Sequence, residues 1–150
     1  MTYTSIKSAI IAGALAIASA TTALAGSSEI DLTYVWTAHE GQAKKLVATY
    51  EAVGAMLESN EPGLTLYEIA VSESGNQIII HEVYEDSDAL AFHLSETAAA
   101  FFPQLIEFAD PGPFIFRGEV PEELKTAAYS MNMGAIFTND WAGFDRNQSQ

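Results

Sequence analysis

Apolar and polar side chains alternate from Glu29 to Ala38, with Ile30, Leu32, Tyr34 and Trp36 on one face and Asp31, Thr33, Val35 and Thr37 on the other. That period of two predicts a β-strand with one markedly more apolar face. From Gln42 to Asn60 the spacing lengthens: Leu46, Tyr50, Val53 and Leu57 fall at steps of four, three and four and make one helical stripe. Asn60-Glu61-Pro62-Gly63 ends it, since proline cannot continue a helix and glycine tolerates a tight turn. Leu64 to Val71 and Gln77 to Glu85 read as two antiparallel strands joined by Ser72-Glu73-Ser74-Gly75-Asn76. Asp86 and Ser87 offer an N-cap for a helix running to about Thr97, and Ala98 to Phe108 continues as a helical segment interrupted or restarted at Pro103.

The cluster Asp110-Pro111-Gly112-Pro113 is read as a break, followed by a fourth strand from Phe114 to Val120. Pro121, with Glu122 and Glu123 behind it, opens a short helix ending near Tyr129, and Gly134 to Thr138 is a short strand or arm. The order β-α-β-β-α-β, with a C-terminal helix and extension, predicts an α+β ferredoxin-like domain: one antiparallel sheet with helices on one face. Ile78 and Ile80 alternate with Ile79 and Val83, which leaves apolar groups on both faces of the third strand. A chain this small covers a second face most simply with another copy of itself, so a homodimer is expected.

The first residues are set apart by composition. Met1 to Lys7 is polar with one positive charge, Ser8 to Ala20 is small and apolar, and Ala23-Leu24-Ala25 fits a signal-peptidase site. The expected organisation is a signal peptide over residues 1–25, one domain over 26–139 and a tail over 140–150, in an exported protein, periplasmic or secreted. No other segment is apolar enough to cross a membrane. The formal net charge is −14, and every acidic residue lies after Ala25. Such a surface repels phosphate backbones and anionic headgroups, so neither nucleic acid nor a membrane surface is an expected partner once the leader is gone. The chain has no cysteine, which excludes disulfides, thiol nucleophiles and iron–sulfur ligation.

The most specific stretch runs from Glu61 to His93. Glu61-Pro62-Gly63, Tyr67, Glu82-Val83-Tyr84 and His93 resemble the antibiotic biosynthesis monooxygenase family of dimeric α/β barrels, which includes quinol monooxygenase-like proteins. The likeness covers about Thr33 to Val120. Tyr84 stands where the family has tryptophan, and Ala98 stands where members often have a second histidine. Haem-degrading relatives use an asparagine on the first strand, and this strand carries Thr33, Tyr34 and Trp36 instead, so haem oxygenase activity is not expected.

The resemblance implies oxidation of a small electron-rich aromatic or quinol by dioxygen, with no bound cofactor or metal. That chemistry asks for a dry pocket and a group that favours the substrate anion. His93 and Tyr84 are the candidate catalytic residues. A neutral imidazole can accept a phenolic proton, although His93 could equally be a structural helix histidine bonded to a neighbouring strand or subunit. Tyr84 could orient an aromatic ligand or be a core aromatic with its hydroxyl at the rim. Trp36, Ile80, Glu82, Phe101 and Phe116 are the candidate substrate-binding residues.

Strand alternation puts Ile78, Ile80, Glu82 and Tyr84 on one face and His81 on the other, so His81 and Glu82 cannot serve one pocket. Glu82 is either a raised-pKa acid or the ion-pair partner of Arg117, and the pair is favoured because Arg117 is the cation of the strand core. His39, His81 and His93 match no metal-ligand spacing. The alternative function is a non-catalytic dimeric barrel that binds a small apolar ligand, and a third is isomerase or decarboxylase chemistry with the same base.

Overall fold

The computed structural model describes residues 28–138. The expected signal peptide and the expected tail from residue 140 lie outside the described residues. The strands are β1 (Ile30–Ala38), β2 (Leu64–Val71), β3 (Gln77–Tyr84), β4 (Ala109–Arg117) and β5 (Ala135–Thr138). The helices are α1 (Ala43–Asn60), α2 (Ser87–Phe92), α3 (Ala99–Leu105) and α4 (Glu122–Ser130), with a π-helical turn at His93–Ala98 joining α2 to α3. No helix among the described residues is long and apolar enough to cross a membrane.

The sheet is open, with order β2-β3-β1-β4-β5. β1 pairs antiparallel with both β3 and β4, and β2 with β3, which is the ferredoxin-like arrangement expected from the element order. β5 is the addition: it runs parallel to β4 at the edge. The helical stripe Leu46, Tyr50, Val53 and Leu57 is the buried face of α1, and its Leu46 and Tyr50 join one core with Ile30, Leu32, Tyr34 and Trp36 of β1 and Ile78, Ile80 and Tyr84 of β3. Asp86 caps α2, its carboxylate accepting from the N–H groups of Asp88 and Ala89.

Two boundaries differ from the sequence expectation. β4 begins at Ala109, so Asp110-Pro111-Gly112-Pro113 is part of a strand and not a break before one. Its register against β1 slips between Tyr34 and Trp36, where Tyr34 faces Phe114 and Trp36 faces Pro111. That bulge takes up the irregular residues, and β5 first pairs at Phe114, so the prolines fall where β4 has no second neighbour to bond. A Cβ on Gly112 would come within 3.1 Å of the Val35 carbonyl oxygen, a tight approach that glycine avoids.

The second difference is in the long helix. Its irregularity lies at the π-turn, where the N–H of Ala99 reaches back to the carbonyl of Leu94, and the chain continues helically through Pro103. Extra residues inserted into a helical turn frequently mark a functional position.

The outer face of the sheet carries a charged row in place of helices. Arg117 Nη2 donates to Asp31 Oδ1 at 2.8 Å, and His81 Nε2 lies 2.9 Å from Asp31 Oδ2. The expected Glu82–Arg117 pair is therefore wrong. Asp31 stands directly opposite Arg117 across β1 and β4 on the outer face, whereas Glu82 stands opposite Leu32 and points inward.

Candidate active site

Glu82 is the centre of the inner face. It is fully buried, and both of its oxygens accept phenolic O–H groups, Oε1 from Tyr34 at 2.8 Å and Oε2 from Tyr84 at 2.7 Å. Tyr84 lies two residues along the same strand, and Tyr34 reaches across from the neighbouring strand, so the β3 alternation and the β1–β3 register alone build the cluster. Burial and the Glu82 charge push both tyrosines well above the ordinary phenol range, which fixes them as neutral donors.

Beside this cluster is a second carboxylate. Glu61, at the end of α1, is buried; its Oε2 lies 3.0 Å from His93 Nδ1, and its Oε1 accepts from the Thr97 hydroxyl. The π-turn supplies both partners, since His93 opens it and Thr97 lies four residues on. A carboxylate on Nδ1 favours the tautomer with its proton there, leaving Nε2 as the free base. Nε2 in turn lies 4.0 Å from Glu82 Oε2.

Burial disfavours the imidazolium, yet the Glu82 charge and the hydrogen bond and charge of Glu61 outweigh it and hold His93 above its ordinary value. For Glu61, burial raises the pKa, but the bonds from His93 and Thr97 and the His93 charge carry it below the usual carboxylate value. The arrangement is a buried base whose charged form is stabilised by two acids.

His93 also lines a narrow, half-open cavity of about 40 Å³. Its walls are mostly apolar and include Trp36, Phe101, Phe102, Leu94 and Phe116, together with Tyr34 and Tyr50. One polar atom there is left over: Trp36 Nε1 is buried with no hydrogen-bond partner. Burial and the Glu82 charge hold the Tyr50 hydroxyl well above the phenol range, against the neighbouring Tyr34 and Trp36 groups, which favour its ionised form.

The structure thus brings His93, Trp36, Phe101 and Phe116 to one cavity and leaves Ile80, Glu82 and Tyr84 off its walls. Tyr84 is fully buried with its hydroxyl on Glu82, not at a rim, and its ring centroid lies 5.4 Å from that of His93. The three histidines pair with different acids: His39 with Asp110, His81 with Asp31 and Glu68, and His93 with Glu61. No group of three metal-ligating side chains converges among the described residues. Sequence reasoning did not single out Glu61, Thr97, Tyr34 or Tyr50 as site residues. Glu61 had a signal, its place in the same motif as His93, but its neighbours Asn60, Pro62 and Gly63 made it read as part of a turn.

Residues 32–102 match the family model for antibiotic biosynthesis monooxygenase. Over this segment the chain is similar to the antibiotic biosynthesis monooxygenase family. The segment holds Glu61, Glu82 and His93, while Phe114 and Phe116 on the cavity wall lie beyond it. Solved structures share the fold. MupZ from Pseudomonas fluorescens is 22% identical with a TM-score of 0.61, the match covering 81% of this chain and 98% of that one. SnoaB, a cofactor-independent oxygenase from Streptomyces nogalater, is 17% identical with a TM-score of 0.51, covering 63% and 98%. Rv0793 from Mycobacterium tuberculosis is 14% identical with a TM-score of 0.51, covering 63% and 97%. At these identities the likeness establishes the fold. No curated protein matches the chain.

Proposed function

We propose that this protein is a cofactor-independent monooxygenase acting on a small aromatic or quinol outside the cytoplasm, with His93 as the base. The observation that carries the reading is His93 on the wall of an apolar cavity, with its Nδ1 beside the buried Glu61 carboxylate, which favours Nε2 as the acceptor. In an anthrone-type substrate, Nε2 takes the proton that the activated carbon or its enol hydroxyl gives up. The anion then passes one electron to dioxygen. Combination of the substrate radical with superoxide forms the C–O bond, and the imidazolium returns its proton to the peroxide. Loss of water leaves a carbonyl, so one oxygen atom enters the product and the other leaves as water with the two hydrogens of the carbon. Glu82, 4.0 Å from Nε2, acts on that same nitrogen: its charge favours the imidazolium that forms.

The cavity is narrower than an aromatic ring needs, since an apolar cavity that takes benzene measures about 150 Å³. A ring enters by displacing Phe101 and Phe102, both of which are half-buried on the helix side of the cavity. The same narrowness favours the second reading, a non-catalytic barrel holding a small apolar ligand. Oxygen consumption with a panel of quinols and anthrones separates them. The native protein is expected to consume oxygen and His93→Ala to lose at least a hundredfold of the rate. Equal rates in the two proteins, or none above background, would reject the enzyme.

The protein further acts as a homodimer on this reading, its copies joined through the outer sheet face. Ile79 and Ile136 are 41% and 48% exposed there. A solution mass of two chains is expected, and Ile79→Lys should shift it toward one.

A further inference from the structure

Among the described residues that line the cavity beside His93, Met133 alone comes from no helix or strand. It sits on the connection between α4 and β5, and the backbone on either side of it is unusual. Asn132 has φ of 53° and Gly134 φ of 63°, and Asn132 is the one non-glycine residue of positive φ among the described residues. Most side chains avoid that left-handed region, which asparagine and glycine tolerate. Such backbone persists where its surroundings require it, and it gathers at ligand sites. Hydrogen bonds pin both flanks: the N–H of Asn132 donates to the Tyr129 carbonyl at 3.0 Å, and the Gly134 carbonyl accepts from the N–H of Phe114 at 3.4 Å. Between these two turns of the chain, Met133 is 2% exposed and belongs to the core.

The walls therefore differ in what they can yield. Phe101 and Phe102 are half-buried and have solvent to swing into, each vacating the space of its own ring. Met133 has no exposed side to move toward, so it stays when a ring enters and limits how much of the ligand the cavity takes. An unbranched thioether can bend round a single ring, but it cannot leave for a second ring fused to the first. We propose that Met133 is the specificity-determining residue of the site, admitting single-ring aromatics and quinols and excluding fused-ring ones such as anthrones. This filter rests on the cavity being the substrate site, as in the monooxygenase reading above, and narrows that reading to one substrate class. It acts on a bound ring whether or not the ring is then oxidised.

Binding is measured under nitrogen, so that nothing turns over, by following the methyl NMR signals of the full chain as phenol or 2-naphthol is added. By burial alone 2-naphthol, with more apolar surface, should bind the more tightly. The native protein is expected to reverse that order, binding phenol at least about tenfold more tightly and shifting the Met133 and Leu94 methyls as it does so. Met133→Ala should tighten 2-naphthol by at least about tenfold and change phenol by less than about threefold, while Met133→Leu, close in volume, should keep the native order. A native protein that binds 2-naphthol as tightly as phenol, or an Ala variant with the native preference, would overturn the filter, as would binding of neither ring in any of the three proteins. The native comparison stands by itself should Met133→Ala not fold, and Met133→Val is a milder truncation with the same expected direction. Oxygen uptake separates the filter from the enzyme. Ring selection with no uptake from any single-ring quinol rejects the monooxygenase and supports the filter, whereas uptake from quinols and anthrones alike supports the enzyme and rejects the filter.

Discussion

His93 Nδ1 lies 3.0 Å from Glu61 Oε2, although 32 residues of chain separate them. The contact joins the end of α1 to the π-turn, and both side chains are almost fully buried. Replacing Glu61 by Gln removes one of the two charges that raise the His93 pKa and weakens the preference for Nδ1–H. In an NMR titration of the imidazole, native His93 is expected to titrate above its ordinary value and Glu61→Gln to bring it down. A base works only when deprotonated, so the rising limb of oxygen uptake against pH should move to lower pH in the variant. The plateau should fall by about ten- to a hundredfold, less than the whole contribution of a general base. An unmoved limb would show that Glu61 does not govern His93.

The same pair gives the fold a pH dependence with a defined sign. His93 has a folded pKa above its unfolded value of about 6.5, so its contribution to stability is full below that value and is lost as pH rises through the folded pKa. Glu61 has a folded pKa below its unfolded value of about 4.3, so its contribution is full above that value and is lost as pH falls through the folded pKa. The two overlap best between roughly pH 4.5 and 6.5. Urea unfolding from pH 4 to 9 should show the native protein losing stability above that window more steeply than His93→Gln. Parallel curves would mean that the imidazole gains nothing from its acids on folding.

Glu82 holds two phenolic hydroxyls that have no other acceptor among their hydrogen bonds. Glu82→Ala strands both in the core, and at about 1–3 kcal/mol for each orphaned group the loss should be about 2–6 kcal/mol. Glu82→Gln keeps one acceptor oxygen and should cost less. Denaturant midpoints of the three proteins check the order, and a Gln variant as unstable as the Ala variant would show that charge, not acceptor geometry, holds the tyrosines. Because the Glu82 charge raises His93, the Gln variant should also lower the imidazole pKa.

These relationships divide into those that local pattern carries and those that register carries. The stripe Leu46, Tyr50, Val53, Leu57 and the inward set Ile78, Ile80, Glu82, Tyr84 follow from the helical and strand periods, and burial bears them out residue by residue. Which acid meets Arg117 follows from strand register, and the sequence holds no count that puts Asp31 opposite it. Glu61 was hidden for a related reason: its function depends on a helix 32 residues away, while its own neighbours spell only a turn. The start of β4 was obscured by two prolines that a bulge and an open edge make harmless.

The glycine of Glu61-Pro62-Gly63 ties that turn to the site. A Cβ on Gly63 would lie 2.6 Å from the Cβ of Ala89 and 3.0 Å from Glu85 Oε1. The Glu85 carboxylate can swing away, but the Ala89 methyl is fixed to α2 and cannot. Gly63→Ala therefore pushes the turn from the helix, at a cost of about 1–3 kcal/mol for overpacking. The displaced turn carries Glu61, two residues earlier, away from His93 and Thr97 on the same helical run. The expected result is a lower thermal midpoint together with a His93 pKa closer to its ordinary value. A paired change, Gly63→Ala with Ala89→Gly, removes the clash and should restore both. Recovery of stability without recovery of the His93 titration would separate the packing role of Gly63 from any role in placing Glu61.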